Sequence, residues 1–288
     1  MAVKKQVADE IKDVNTLRDI VDSYEKISAT KMQNIRSQVL LNRDFLEELN
    51  YVFQQVKKSY QDQIKLLMKK ERIKKDKMTL IKTNGKTLFV LLSANTGLYG
   101  TILNKTYQLF RNYVVNQKGD ILIIGKLGRD IYEGDPISRP FIYKDLADTS
   151  AKPETLKEIV SMVIQYEKVV VFHGKFHTTV SQVPTATSVS GDPMPGEKEV
   201  PELKFFFEPS LEEIMLFFEK EIFSSYFEQT VQESELAKHA SRMISLDNSL
   251  ENIKKNLRIL FGEEQRLKHV DFNKKQLETI SSIKLWKK

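Results

Sequence analysis

The stretch MISLDNSLENIKKNLRILFGEEQRL, Met243 to Leu267, decides how this chain is built. Its apolar residues fall at Leu246, Leu250, Ile253, Leu257, Leu260 and Leu267, close to a strict heptad seam. Glu264 stands where the seam expects another apolar side chain, and beyond it the stripe slips to Val270, Leu277 and Ile280. Such drift suits a helix that has left its partner or changed neighbours. A seam of this kind is stable only against a second apolar stripe.

That stripe lies at the other end of the chain. From about Val3 to about Lys75 there is neither Pro nor Gly. Apolar residues recur at Val7, Ile11, Val14, Leu17, Val21, Tyr24 and Ile27, then at Ile35, Val39, Phe45, Leu49, Val52 and Val56. The spacing predicts a long amphipathic helix, and sixty residues of helix reach roughly 90 Å. The chain leaves along one helix and returns along the other. The two segments are therefore expected to form one antiparallel coiled coil, the rival arrangement being two separate homodimerising coils.

Between them the period changes. KTLFVLL (Lys86 to Leu92), DILIIG (Asp120 to Gly125) and KVVVFH (Lys168 to His173) read as short buried strands. Helical patterns near Ile102 to Val115 and Pro153 to Tyr166 separate them, which implies a small parallel sheet with right-handed crossovers. KFHTTV (Lys175 to Val180) could add a strand, PTATSVSGDPMPGEKEVP (Pro184 to Pro201) reads as a surface loop, and LKFFF (Leu203 to Phe207) as a strand or ribbon. Ser210 and Glu213 form a capping box that opens the returning helix. The fold class is α+β: a long antiparallel coiled coil of N- and C-terminal helices with an inserted Rossmann-like α/β domain. The expected divisions are 1–78, 79–209 and 210–288.

Composition narrows the chemistry. The net charge of +6 fits a lysine-rich surface better than a nucleic-acid footprint, which concentrates charge on one face. The absence of cysteine excludes disulfides, thiolate metal sites and a Cys nucleophile. No apolar run approaches the ~18 residues of a membrane span. MAVKKQVADEIKD has no apolar core and reads as mature protein rather than a signal or transit peptide.

VLLSANTGLYG, Val90 to Gly100, places a glycine turn after a strand, yet it is neither a Walker loop nor a dinucleotide fingerprint. Gly97 and Gly100 are expected to let the turn pack tightly. His173, His177, His239 and His269 form no ligand cluster; in a strand, His173 and His177 would stand ~13 Å apart. Glu47/Glu48 and Glu212/Glu213 sit on helix faces expected to be solvated. Phe205, Phe206, Phe207, Phe217 and Phe218 suit a core or an interface. Neither a catalytic set nor a cofactor site is expected.

Several ordered motifs give the chain a family likeness. NTLRDIVDSYEKISATKM carries Glu25, Ala29, Lys31 and Met32, and SANTGLYG is similar to an S-x-D-[RK]-G-L-C-G turn with Asn95, Thr96 and Tyr99 substituted. KFHTTVSQVPT contributes Phe176, Ser181, Gln182, Val183 and Pro184, and Glu208-Pro209 precedes the returning helix. ESELAKHASRMISLDNS contributes Glu233, Ser234, Arg242, Met243, Asp247 and Asn248. With these, the chain resembles the γ subunit of F-type ATP synthases, the rotating central shaft. The last helix departs from that family's Y-N-x-x-R-Q-A-x-I-T-x-E-L run: Lys268 and His269 fall on Arg-Gln, Phe272 and Asn273 on Ile-Thr, and Lys275 on Glu.

The resemblance implies a non-catalytic subunit, peripheral on the cytoplasmic side of the cell membrane. Its partners would be α- and β-type ATPase subunits, an ε-like subunit and a membrane rotor ring. It implies shaft contacts at Thr30, Lys31, Met32, Arg242, Lys268, His269, Phe272 and Asn273, with the end of the last helix, about Phe272 to Trp286, deepest in the hexamer. Foot contacts would fall at Phe205, Phe207 and Glu208. The load would be proton transport or, alternatively, that of a specialised F-like ATPase, such as a duplicated mollicute assembly driving motility. From another class, a stand-alone α/β enzyme with helical arms or a basic coiled-coil scaffold remains.

Overall fold

The computed structural model describes residues 2–60, 81, 83–148, 153–189, 208 and 210–286. In chain order the elements are α1 (Ala2–Ser59), β1 (Thr87–Leu92), α2 (Ile102–Val114), β2 (Asp120–Ile124), α3 (Lys126–Glu133), β3 (Ile142–Lys144), α4 (Pro153–Val163), β4 (Lys168–Phe176), β5 (Gln182–Ser188) and α5 (Leu211–Trp286). Contacts divide the chain into two compact units, residues 1–29 with 242–288 and residues 30–241.

The first unit pairs the start of α1 with the end of α5. Leu246, Leu250, Leu257 and Leu260 are buried, as are Val7 and Ser28 of α1. Lys4 reaches Asp271 at 3.3 Å, so the helices run antiparallel. Asp271 is partly covered, and residues 272–282 are exposed. The slip at Val270, Leu277 and Ile280 thus marks side chains in solvent, at 63%, 65% and 53% exposure.

The second unit holds the rest of both helices and the sheet. Ile35 and Val39 pack with Leu236, and Phe53 and Val56 with Met215 and Ile222. Asn42 donates to Gln232 at 2.9 Å, again in antiparallel order. The seam of α1 differs from the sequence reading here. Leu46 and Phe53 are buried, whereas Phe45 and Val52 are 48% and 39% exposed. A seam stepping by seven through Val39, Leu46 and Phe53 leaves Phe45 and Val52 one position off it, on the flank. Among the described residues α1 covers Ala2–Ser59, with Tyr60 in a turn; the expected run on to about Lys75 falls on residues 61–80, outside the described set.

The sheet has five strands in the order β3-β2-β1-β4-β5. β1 to β4 pair in parallel, in registers such as Leu88 with Asp120 and with Val169. Both faces are covered, which explains the near-continuous apolar strands. One face packs Leu88, Val90 and Val171 against Ile159 and Val163 of α4 and Phe227 of α5; the other packs Phe89, Ile123 and Phe172 against Phe110 of α2 and Tyr132 of α3.

The sequence reading of Pro184 to Pro201 as loop is corrected at its start. Residues 182–188 form β5, antiparallel to β4 with Gly174 opposite Pro184. Proline, which lacks an N–H, is tolerated because β5 is an edge strand. Lys175 and Phe176 end β4, and the chain turns over Thr178 to Ser181. Residues 190–207, including LKFFF, lie outside the described set. Ser210 caps α5, its Oγ accepting from Glu213 N–H at 3.3 Å.

Substituting Phe53→Ala should cost about 3–5 kcal/mol, since it empties a buried ring site between α1 and α5. Phe45→Ala, on the flank, should cost less than about 1 kcal/mol. Denaturant titration of the two variants would reverse this order if the seam passed through Phe45.

Candidate functional site

The turn after β1 sits where a fold of this layout holds a ligand. β1 lies between β2 and β4, the point at which strand order reverses, and its carboxyl end runs into Ser93 to Gly100. Its polar groups are engaged from within the chain. Asp148, beyond β3, accepts from the N–H of Asn95 at 2.7 Å, the N–H of Thr96 at 2.8 Å and the Thr96 hydroxyl at 2.7 Å. The Asn95 amide donates to Asp145 Oδ1 at 2.6 Å and Leu146 O at 3.0 Å, while its oxygen accepts from Lys126 N–H at 2.8 Å.

The long helix α5 takes the turn's carbonyls. Lys238 Nζ donates to Ser93 O at 3.1 Å, and Ser241 Oγ donates to Tyr99 O at 2.8 Å, both buried. His239 stands edge-on to Tyr99, with ring centroids 6.0 Å apart. These three residues belong to ESELAKHAS, the motif that carries much of the family likeness. Nothing in the sequence joins this motif to the turn, which lies some 140 residues earlier.

Close packing at this corner comes from glycines other than those expected. A Cβ on Gly125 would meet Ala94 N at 2.7 Å, and one on Gly128 would meet Ser93 Cβ at 2.6 Å. Gly97 has open space around it, which corrects its expected packing role. Gly100 is needed for conformation, at φ +59°, and Leu98 holds φ +68° while 62% exposed.

Charge is concentrated beneath the corner. Glu235 of α5 is buried, and its carboxyl is pushed up to about 7, first by burial and then by Asp148, with Lys238 and Lys31 opposing. Glu233 receives Arg43 of α1 at 3.4 Å and the amide of Gln229 at 3.3 Å. His173 is a core residue: its Nδ1 lies 3.0 Å from Gly174 O and its Nε2 2.9 Å from Thr187 Oγ1. Burial lowers its pKa, so the ring is held neutral, with Nδ1–H donating and Nε2 accepting.

The expected contact residues fall in both units. In the sheet-bearing unit Thr30 is exposed, Lys31 is half-buried, and Met32 packs on Ile35, Val39 and Leu236. In the other unit Arg242 is half-buried, His269 and Asn273 are exposed, Phe272 is 57% exposed, and Lys268 pairs with Glu264 at 2.7 Å. Glu208 is exposed; Phe205 and Phe207 lie outside the described residues.

Comparison with known proteins gives this architecture its family. A family model described as ATP synthase matches residues 4–266. The chain belongs to the ATP synthase gamma family. The ATP synthase gamma chain of Cytophaga hutchinsonii is 23% identical over 285 residues, covering 96% of each chain. That of Bdellovibrio bacteriovorus is 23% identical across the whole of both chains. In a cryo-EM structure of the Tetrahymena thermophila mitochondrial ATP synthase central stalk and c-ring, a chain 17% identical shares the fold, with a TM-score of 0.55, 80% of this chain and 99% of that one covered. The two terminal helices with an inserted α/β domain are thus the gamma fold that the sequence indicated.

Glu235 sets a pH dependence. Its ordinary value of 4.5 rises to about 7 on folding, so between those limits the folded state holds a proton that the unfolded state releases. Stability therefore falls as pH rises through this window. Between pH 5 and pH 8 the wild type should lose on the order of 2 kcal/mol relative to Glu235→Gln, read from urea titrations. Parallel pH profiles for the two would remove Glu235 from this role.

Proposed function

We propose that this gamma-family chain is the central rotor shaft of an F-type ATP synthase or ATPase, coupling rotation to conformational change in surrounding α- and β-type subunits. It supplies no catalytic group; nucleotide turnover belongs to its partners. The observation that carries this reading is the exterior of the helix pair. Along α1, Leu17, Ile20, Tyr24 and Ile27 are each about half exposed, at 49–50%, and follow one another at helical spacing beside the buried seam. On α5, Ile259, Phe261, Val270 and Phe272 are exposed as well. Apolar side chains in such numbers on an otherwise charged surface suit a shaft enclosed by other proteins.

The physical work of such a shaft is selection among states. Three equivalent subunits around two unlike helices meet three different surfaces. A surface that binds one conformation of a subunit better than another shifts its population by the difference in affinity, and tenfold costs 1.4 kcal/mol. Turning the shaft moves that bias from one subunit to the next. Thr30, Lys31, Met32, Arg242, Lys268, His269, Phe272 and Asn273 are the proposed points of contact, and Glu208, with Phe205 and Phe207, belongs to the foot that meets an ε-like subunit and the membrane ring. The boundaries at residues 78 and 209 divide shaft from foot. The subunit is proposed to sit peripherally on the cytoplasmic face; among the described residues no helix is long and apolar enough to cross a membrane.

A second reading differs only in the load: a specialised F-like ATPase not coupled to protons. It is favoured by the family match ending at residue 266, short of the departures at Lys268 to Lys275. Proton pumping by membrane vesicles containing the assembly separates the two readings.

A tagged copy of the chain expressed in its own host should co-purify with α- and β-type ATPase subunits. Tyr24→Asp with Ile27→Asp should reduce that recovery at least tenfold while leaving the helicity of the isolated chain unchanged. Recovery of neither subunit by the wild-type chain would rule out the shaft reading.

A further inference from the structure

The corner at the end of β1 has the donors of an anion site and its own anion. Two successive backbone N–H groups and a hydroxyl converge on one carboxylate, the set that a phosphoryl group takes in turns of this kind. The donors come from Asn95 and Thr96 and the carboxylate from Asp148, more than fifty residues later. Asn95 then ties the turn to both the segment after β3 and the start of α3. While the N–H side is closed by Asp148, the carbonyl side is taken by α5 through Lys238 and Ser241.

We propose that this corner is a closed mechanical joint, in which Asp148 stands in for a phosphoryl anion and locks the turn so that the shaft helix can hold the α/β domain by the turn's carbonyls. The proposal rests on the shaft reading for its purpose and on the hydrogen bonds for its construction. Leu98 supports it independently. A branched side chain in the left-handed region is strained, and it persists where the surrounding structure over-determines the backbone. The Asp148 and Ser241 contacts on either side of Leu98 supply that determination. Gly125 and Gly128 add to it by bringing β2 and α3 against Ser93 and Ala94 too closely for a side chain.

Chemical rescue of the full-length chain tests the joint. Hydrogen exchange is followed by mass spectrometry on the peptide spanning Ser93 to Gly100. Asp148→Ala should accelerate its exchange at least tenfold, and millimolar formate or inorganic phosphate should restore protection where chloride of equal ionic strength does not. Unchanged exchange, or acceleration that neither oxyanion reverses, overturns the proposal. If Asp148→Ala does not fold, Asp148→Asn carries the test: it keeps the shape without the charge and should exchange several-fold faster than the wild type, and equal protection overturns the proposal. Lys238→Met combined with Ser241→Ala should also speed exchange several-fold, and wild-type behaviour there would show that α5 does not hold the turn. These measurements need no partner subunit, so they fail or succeed separately from the co-purification that tests the shaft reading.

Discussion

The structure depends on the antiparallel contact between α1 and α5. Neither helix can bury its apolar stripe alone, and helices in water draw most of their stability from such a face rather than from propensity. The seam supplies the face on both sides: Val39 and Ile35 meet Leu236, and Phe53 meets Met215 and Ile222. Because each seam residue has one partner level, the contact also sets the axial register, and polar pairs such as Asn42 with Gln232 add direction to it. α5 does two jobs at once. One side meets α1, while Phe223, Phe227 and Val231 complete a face of the sheet.

The helices were legible because their periodicity is written along tens of residues. The error at Phe45 and Val52 has a plain cause: two neighbouring columns are both apolar, and only packing decides which is the seam. Strands β1, β2 and β4 announced themselves as apolar runs because both faces of the parallel sheet are covered. β3 did not, being three half-buried residues, Ile142 to Lys144. β5 was masked by Pro184 and by threonine and serine, a composition that suits an edge strand as well as a loop.

The corner was the least legible part. The glycine turn is visible in the sequence, and it lacks the lysine of a phosphate-binding loop. What fastens the turn is not legible there, because Asp148, Lys238 and Ser241 lie far from it in sequence and resemble any other polar residue. Glu235 was equally anonymous until burial gave it a titration near neutrality. Long-range hydrogen bonds leave no periodicity, so a sequence displays the frame of such a site and conceals its fastening.

The exposed stretch of α5 beyond Asp271 has a consequence for how force travels. Where Lys4 meets Asp271, two helices share any load; from residue 272 to 282 one helix carries it. A lone helix resists bending and twisting only through its own ladder of backbone bonds, so residues 272–282 have less lateral support than the paired part of their unit. A stepwise push delivered there is taken up first as elastic strain and released gradually, as by a spring set ahead of a rigid drive.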